Sequence, residues 1–400
     1  MLTALRRTFR SLRVRNYRLY FVNQTVSMSG TWMQSVAQGW LVLQMTGSAF
    51  ILGVTVALQF GPILVLGPWG GVVADRADKR KLLLVTQVIL ALQALALGLL
   101  TATGVVNVWM VCVLAAVGGV VMAIDNPTRQ AFVFEMVGAD DLANAVGLNS
   151  IVINASRIVG PAIAAVLIAT VGLASCFLLN AASFLFIIGA MLLMRPGELH
   201  RARPLERAKG QVRAGLAYVW RTPELLTPLA IMAVVSTLSY NFSVLLPLLA
   251  RFTFNRGGGT YGALTTAMGV GALAGALLAA AVARPSSRLL VLSTLGFGVF
   301  TLLVAASPSL TAALVLLVPM GAAAIIFVST TNSLLQVNSP DAMRGRVMAL
   351  WGVVFFGSTP LGGPLAGLLA GWLGPRLALG FGGAATVLAG VAAFVVLRRR

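Results

Sequence analysis

The amino-acid sequence predicts an all-α integral membrane protein with 12 transmembrane helices, arranged as two pseudo-symmetric six-helix bundles. Of its 400 residues, 58% are hydrophobic and 10% are charged, whereas a soluble domain keeps about a quarter of its residues charged. Most of the apolar runs reach the ~20 residues that a helix needs to cross a bilayer. Lysine and arginine are concentrated in alternate connections, as expected of a chain that crosses a membrane repeatedly.

The apolar runs follow one another with mostly short connections, and their order sets the topology. With a cytoplasmic N-terminus, 25 of the 29 lysine and arginine residues lie on the inner side, and the outer loops hold only Arg251, Arg256 and Arg376. This positive-inside bias predicts that both termini are cytoplasmic, and it accounts for the net charge of +19 without a nucleic-acid partner. We expect spans at residues 19–45, 48–74, 82–103, 107–133, 142–171, 174–194, 224–250, 259–283, 288–306, 310–335, 345–372 and 376–397.

The two halves of the chain share a pattern. The Gly-Pro pair that begins at Gly160 in span five recurs at Gly363 in span eleven, 203 residues later. Such a repeat is typical of transporters built from two bundles, with the solute site between the bundles near the middle of the membrane. We therefore expect bundles at 1–194 and 224–400, joined by a cytoplasmic linker at 195–223. That linker is either an amphipathic helix on the inner leaflet, with Val212, Leu216, Val219 and Trp220 beside Arg207, Lys209 and Arg213, or a plain solvated connection.

The connection between spans two and three carries the sharpest motif, Gly-Val-Val-Ala-Asp-Arg-Ala-Asp-Lys-Arg at 71–80. A carboxylate at a helix end can cap a neighbouring helix N-terminus and pair with arginine. Contacts of this kind that form in one conformation and break in another would act as a gate latch. The alternative is a basic loop that only sets topology. The gating residues that we predict are Gly71, Asp75, Arg76, Lys79 and Arg80.

This motif resembles the one that the major facilitator superfamily carries after span two, G-x-L-A-D-R-x-G-R-[RK]. Val73 and Asp78 depart from that pattern. Further segments, from Asn16-Tyr17-Arg18 just before span one to Asp125-x-Pro127-x-Arg129 in span four, are similar to the enterobactin-exporter and macrolide-efflux branch, the transmembrane secretion effectors. The resemblance implies a secondary active exporter in a bacterial inner membrane. That branch often carries an aspartate where Thr31 stands, so one candidate proton site is absent.

Polar residues within the spans are the candidates for contact with solute. Those of span one recur every three or four residues and so share one face, which predicts either a cavity lining or hydrogen bonds between helices. Arg157, a cation within span five, should contact the cavity or an anion unless it reaches outward to the membrane surface. The predicted cavity residues are Gln24, Ser27, Thr31, Gln34, Gln38, Arg157, Tyr240, Asn241 and Asn332.

Asp125 is the deepest acid outside the motif after span two, and Arg129 follows it by one helical turn. If transport is coupled to protons, Asp125 is the candidate carrier with Arg129 as its partner. The alternative is a structural ion pair at the membrane edge.

The Gly-Pro pairs, Gly160-Pro161 and Gly363-Pro364, predict helix kinks, or ordinary packing bends. In span eleven, glycines recur every four residues at Gly363, Gly367 and Gly371. A row of small residues with this spacing predicts tight packing against a neighbouring helix.

Several chemistries have no support in the sequence. There is no phosphate-binding G-x-x-x-x-G-K-[ST] loop, no cluster with metal-ligand spacing and no Ser-His-Asp set around the single histidine, His200. We therefore predict no enzyme activity, cofactor or metal. The favoured function is export of a small organic solute, drug-like or siderophore-like, by a monomer in contact with membrane lipid. An importer of a nutrient and a non-transporting scaffold or receptor are the alternatives.

Overall fold

The computed structural model describes residues 9–200, 211–281 and 285–398, and it contains helices and no strand within those ranges. The helices are α1 (Arg15–Thr46), α2 (Ala49–Arg76), α3 (Lys79–Ala102), α4 (Val108–Thr170), α5 (Leu173–Leu192), α6 (Gln211–Arg221), α7 (Pro223–Leu238), α8 (Phe242–Leu248), α9 (Gly258–Ala281), α10 (Ser287–Ala306), α11 (Leu310–Val337), α12 (Asp341–Leu373) and α13 (Pro375–Arg398). Short 3-10 turns precede α1 and follow α5, and a π-type turn at Leu249–Thr253 follows α8.

Ten helical segments of the described ranges are long and apolar enough to cross a membrane. The longest, α4, bends at Gly138, whose φ of 71° is open to glycine at little steric cost. The predicted boundary between spans four and five is confirmed at this residue, where the backbone is non-helical, but the connection is this one glycine and not the eight residues 134–141. The two arms of α4 count as separate spans, and α1 is a further span whose polar residues lower its hydropathy. The number of spans is then consistent with the predicted 12.

Polar side chains in the connections cap the N-termini of several helices. Asp78 accepts a hydrogen bond from Lys81 N at the start of α3, and Asn107 does the same for Met110 N at the start of α4, both at 3.0 Å. Each side chain satisfies a backbone N–H that has no partner inside its helix. Asp78, the residue that departs from the superfamily motif, is thus an N-cap.

Span seven, predicted as one helix, is broken. Ser239 N and Tyr240 N both donate to Val235 O at the end of α7. The helical pattern resumes with α8, where Val244 N and Leu245 N both donate to Asn241 O. The chain therefore leaves the helical path at 239–241, the segment in which two of the predicted cavity residues lie.

The chain divides by contacts into two compact units. The first comprises residues 1–38 and 62–206, and the second comprises 39–61 and 207–400. Residues 39–61, the end of α1 and the start of α2, group with the second unit although they precede most of the first in the chain. In the first unit α3 packs along α5 and against α4. Its core includes Tyr17, Phe132, Met136 and Phe184.

In the second unit, α9 packs along α11, and α10 packs on α11 and α13. The α9–α11 crossing is close because Gly271 lies against Val318 O and Gly321 against Met268 O, where a Cβ would overlap the backbone. Within the linker, helix α6 packs against α12. Val219 of α6 is buried and Trp220 is 71% exposed. Residues 201–210, with Arg207 and Lys209, lie outside the described ranges.

Two of the three arginines predicted on the outer side hold helix ends of the second unit. Arg251 Nη1 donates to Leu43 O in the last turn of α1, and Arg376 Nη2 donates to Ser307 O just after α10, at 2.8 Å. A cation at a helix C-terminus satisfies carbonyls that lack an intrahelical partner and opposes the negative end of the helix dipole.

Candidate functional site

The motif after span two joins helix ends of the first unit. Lys79 Nζ lies 2.8 Å from Glu135 Oε1, with both side chains about nine-tenths buried. Arg80 Nε donates to Met191 O at 2.8 Å, in the last turn of α5. Lys79 and Arg80 therefore tie the start of α3 to α4 and to the C-terminal end of α5. Of the other predicted gating residues, Gly71 is buried, Asp75 is half-buried and Arg76 is exposed.

Gly70, which precedes the predicted motif, brings α2 against α4. A Cβ at position 70 would overlap Ala123 O and lie 3.1 Å from Ile124 Cα. The inner part of α2 is therefore packed directly on the turn of α4 that leads into Asp125. A signal for this contact is present in the sequence, because Gly70 and Gly71 are adjacent in an otherwise bulky apolar run.

Asp125 is 2% exposed and accepts four hydrogen bonds. Its Oδ1 accepts from Thr86 Oγ1 at 2.7 Å and Gln87 Nε2 at 2.8 Å. Its Oδ2 accepts from Arg129 Nε at 3.0 Å and Arg129 Nη2 at 2.6 Å. Arg129 Nη1 in turn donates to Tyr20 Oη at 3.2 Å. The predicted pair of Asp125 and Arg129 forms, and it links α4 to α3 and α1.

Sequence reasoning missed the neutral partners of this pair. Thr86 and Gln87 belong to a span of almost entirely apolar residues, and Tyr20 lies one turn before the polar stripe of α1. A polar side chain in an apolar span requires a hydrogen-bond partner. That rule marks Thr86 and Gln87 as candidates, but it does not indicate which helix supplies the partner.

Arg157 lies over the ring of Trp32, with its Cζ 5.0 Å from the ring centroid. Its Nε is buried and has no hydrogen-bond partner among the described residues. The contact depends on Gly160, one turn further along α4, where a Cβ would lie 2.5 Å from Ser29 O and 2.6 Å from Trp32 Cβ. The Gly-Pro pair of span five thus allows the backbones of α4 and α1 to approach closely, and this approach brings Arg157 over Trp32.

In the polar stripe of α1, Gln34 makes hydrogen bonds to other helices, whereas Gln24 has an oxygen that is unpartnered among the described residues. Gln34 Nε2 donates to Gln93 Oε1 at 2.9 Å, and Asn180 Nδ2 donates to Gln34 Oε1 at 2.7 Å. Gln34 therefore joins α1 to α3 and α5, as in the alternative prediction of hydrogen bonds between helices. Ser27 and Gln38 are buried, and Thr31 is half-buried. Gln24 is buried with its Oε1 unpartnered in the described part of the chain.

In the second unit, Tyr240 lies in an aromatic cluster at the break between α7 and α8. Its ring centroid is 5.3 Å from that of Phe242, 5.7 Å from that of Phe355 and 6.3 Å from that of Phe297. Phe355 stacks on Trp351 with an interplanar angle of 11° and a centroid distance of 5.4 Å. The cluster joins three helices of this unit to the break in span seven; Phe242 and Phe297 are buried in it, and Tyr240, Trp351 and Phe355 are half-buried.

The other predicted residues of the second unit have local partners. Asn241 Nδ2 donates to Thr237 O at 2.7 Å, and Asn241 Oδ1 is buried with no partner among the described residues. Asn332 Oδ1 accepts from Gln336 Nε2 at 2.6 Å. Asn332 is therefore held within its own helix, α11.

The Gly-Pro pair of span eleven lies at a close contact between α12 and α2. A Cβ at Gly363 would lie 3.1 Å from Gly53 O, and Pro364 Cα lies 2.9 Å from where a Cβ of Gly53 would be. One turn on, Gly367 lies against Ala49 O. The prediction that Gly371 continues this row is wrong, since a Cβ at that position would meet no neighbouring described atom within 4 Å.

A cavity of about 490 Å³ lies beside this contact in the second unit. None of the predicted cavity residues lines it. Its walls come from the α1–α2 connection, the end of span seven and the end of α12: Gly47, Ser48, Ala49, Phe50, Leu248, Phe252, Gly367, Leu368, Ala370, Gly371, Trp372, Gly374 and Pro375.

Comparison with known proteins gives matches over nearly the whole chain. A family model described as "Transmembrane secretion effector" matches residues 6–400. The multidrug efflux pump Tap of Mycolicibacterium fortuitum is 31% identical over 86% of each chain. The enterobactin exporter EntS of Shigella boydii is 26% identical over 95% of this chain and 91% of its own. The crystal structure of the D323A mutant of the nucleoside transporter NupG superposes with a TM-score of 0.76 at 11% identity, over 96% of this chain and 99% of that one.

Proposed function

Because the chain belongs to the transmembrane secretion effectors of the major facilitator superfamily, we propose that it exports an amphipathic organic solute from the cytoplasm by alternating access. The match of the family model to residues 6–400 carries this proposal, since it covers both units. The names of the relatives support the direction, because one is an efflux pump and another an exporter. We propose that the protein is a monomer in a bacterial inner membrane. The charge distribution of its loops supports cytoplasmic positions for both termini.

Two groups of residues are proposed to contact the solute. In the first unit these are Arg157 and Trp32, whose stacked side chains combine a cation with a flat apolar surface. In the second unit they are Tyr240 and the rings of Phe355 and Trp351. Aromatic walls with few polar groups suit a bulky solute that is partly apolar. Gln24, Ser27, Thr31 and Gln38 are proposed as polar contacts on α1.

Asp125 is proposed as the proton carrier if export is coupled to protons. Protonation would remove the charge that attracts Arg129, and it would turn one carboxylate oxygen from acceptor into donor. The hydrogen bonds with Thr86, Gln87 and Arg129 would then rearrange together. Such a change would alter the contacts of α1, α3 and α4 together, as coupling of a proton to a conformational change requires.

Transport into membrane vesicles tests the proposed function. We expect everted vesicles to accumulate at least one member of a panel of anionic, neutral and cationic fluorescent amphiphiles, with a rate that depends on the imposed pH gradient if protons are coupled. Vesicles from cells without the protein are the control. Accumulation only in right-side-out vesicles would identify an importer, and the absence of flux in both orientations would favour a non-transporting scaffold or receptor.

Asp75 is proposed to act as the gate latch, and its neutralisation tests this role. A carboxylate at a helix end contributes up to about 2 kcal/mol in a partly buried position, and a loss of about 1.4 kcal/mol changes an equilibrium tenfold. We therefore expect Asp75→Asn to reduce the initial export rate about tenfold at equal expression.

The matched control for Asp75→Asn is Asp140→Asn, the same chemical change at an exposed position beside the bend of α4. The control should retain the full export rate. Equal rates for the wild-type protein and Asp75→Asn, at equal amounts in the membrane, would refute the latch.

A further inference from the structure

Arg157 is a cation within a membrane span that no acidic side chain balances. None of the ion pairs found among the described residues includes Arg157. Asp125, the buried acid of the same helix, is already paired with Arg129. The described charges of this part of α4 therefore leave one positive charge in excess. Arg157 is half-buried, with its Nε fully buried. A charge within a membrane span is costly, and proteins keep it where a ligand, ion or polar cavity compensates it.

Arg157 lies too far from either end of its predicted span for a charge at the membrane surface to neutralise its guanidinium. It lies at the middle of predicted span 142–171, so either end is about 20 Å away at the rise of 1.5 Å per residue of an α-helix. Its side chain is held over the ring of Trp32, on α1, rather than extended along α4 toward an end. The counter-charge must therefore reach Arg157 in the interior of the span.

The surroundings of Arg157 define a site of a particular chemistry. Gly160 and Ser156 fix α4 against α1, the latter through a hydrogen bond of Ser29 Oγ to Ser156 Oγ at 3.3 Å. This contact leaves the guanidinium over Trp32, with the buried Nε lacking a hydrogen-bond acceptor in the described chain. An acceptor with a negative charge would satisfy Nε and neutralise the cation together.

We infer that Arg157 and Trp32 form a recognition site for an organic anion. The guanidinium would bind a carboxylate, sulfonate, phosphate or phenolate of the solute, and the indole would pack against an aromatic or alicyclic body next to that group. This inference rests on the proposed function and adds the charge class of the exported solute: a planar apolar body that carries an anionic group.

Binding of a matched set of probes tests this inference without measuring transport. Pyrenebutyrate, pyrenebutanol and a pyrenebutyl-trimethylammonium salt share one aromatic body and differ in charge. Their dissociation constants would be measured by pyrene fluorescence, with the full-length protein in nanodiscs of zwitterionic lipid. We expect the wild-type protein to bind the carboxylate at least tenfold more tightly than the alcohol, and the ammonium most weakly.

Variants of Arg157 test whether the preference for the carboxylate depends on the charge of this side chain or on the folding of the protein. Arg157→Gln should remove the preference for the carboxylate and change the affinity for the alcohol less than threefold. Arg157→Lys should keep part of the preference, because the charge remains without the planar guanidinium. Arg256→Gln, at an exposed position of an outer loop, should bind all three probes as the wild-type protein does. Melting temperatures in the same nanodiscs establish that each variant is folded.

Three results would overturn the inference: equal affinity of the wild-type protein for the carboxylate and the alcohol, no measurable binding of the carboxylate, or an unchanged preference in Arg157→Gln. A fourth arm repeats the measurement with phosphatidylglycerol in the nanodisc. If that lipid displaces pyrenebutyrate from the wild-type protein but not from Arg157→Gln, the anion at Arg157 is a lipid headgroup and the solute assignment is wrong. Since no transport is measured, these results are independent of the vesicle experiment, in which a lack of flux would refute the exporter and leave the anion preference intact.

Discussion

Replacement of Asp125 by asparagine is expected to lower the free energy of unfolding by about 3–5 kcal/mol, the loss typical when one partner of a buried ion pair is removed. Asparagine has nearly the same shape, and its Oδ1 can still accept from Thr86 and Gln87. What it lacks is the charge opposite Arg129, whose side chain is also largely buried. The loss should appear as a lower melting temperature of the purified protein and a lower yield of folded protein in the membrane.

The double variant Asp125→Asn/Arg129→Gln distinguishes loss of the pair from loss of a neutral hydrogen bond. It removes the uncompensated cation, so it should recover part of the stability that Asp125→Asn loses. Asp140→Asn, at an exposed position, should leave the melting temperature unchanged. A stable Asp125→Asn protein would contradict the buried ion pair, and one that retains pH-gradient-dependent transport would exclude Asp125 as the proton carrier.

Gly160→Ala is expected to destabilise the first unit by about 1–3 kcal/mol, as overpacking of a close-packed interior does. The added Cβ would lie 2.5 Å from Ser29 O and 2.9 Å from Met33 N, both backbone atoms that a side-chain rotation cannot move. The two helices would have to separate, and Arg157 would shift from the ring of Trp32. We therefore expect weaker pyrenebutyrate binding together with a lower melting temperature.

Gly147→Ala is the matched control for Gly160→Ala, because the same change is made on the same arm of α4. A Cβ at position 147 meets no atom of the described residues within 4 Å, and alanine is favoured over glycine in a helix by up to about 1 kcal/mol. The control should therefore raise the melting temperature or leave it unchanged. Equal effects of the two substitutions would show that the approach of α4 to α1 does not depend on Gly160.

The sequence was sufficient to predict the helices that cross the membrane, because length and hydropathy depend on composition alone. It also identified the pairing of Asp125 with Arg129, since residues four apart on a helix share one face. The connection between spans four and five is shorter than predicted, because the polar residues beside Gly138, such as Asp140, belong to a helix and not to a loop. The break of span seven at 239–241 consists of Ser239, Tyr240 and Asn241, so it contains neither of the strongest helix-breaking residues, proline and glycine, that would mark it in the sequence.

The partners of the polar residues were less predictable than their positions. Periodicity placed Gln34 on a polar face of α1, but it could not tell whether that face lines a cavity or meets other helices. The structure brings Gln93 and Asn180 to it from residues 59 and 146 positions away in the chain. Contacts between residues so distant depend on how helices are arranged in three dimensions, which a single sequence does not encode in any local pattern.

The grouping of residues 39–61 with the second unit has a consequence for biosynthesis. The start of α2, which packs against Gly363 and Gly367, is translated early, whereas α12 emerges from the ribosome near the end of the chain. Most of the first unit can assemble during synthesis, but the contact of Ala49 and Gly53 with α12 can form only after α12 enters the membrane. A nascent chain stalled before residue 341 would therefore hold Ala49 and Gly53 without the glycines that they pack against in the finished protein.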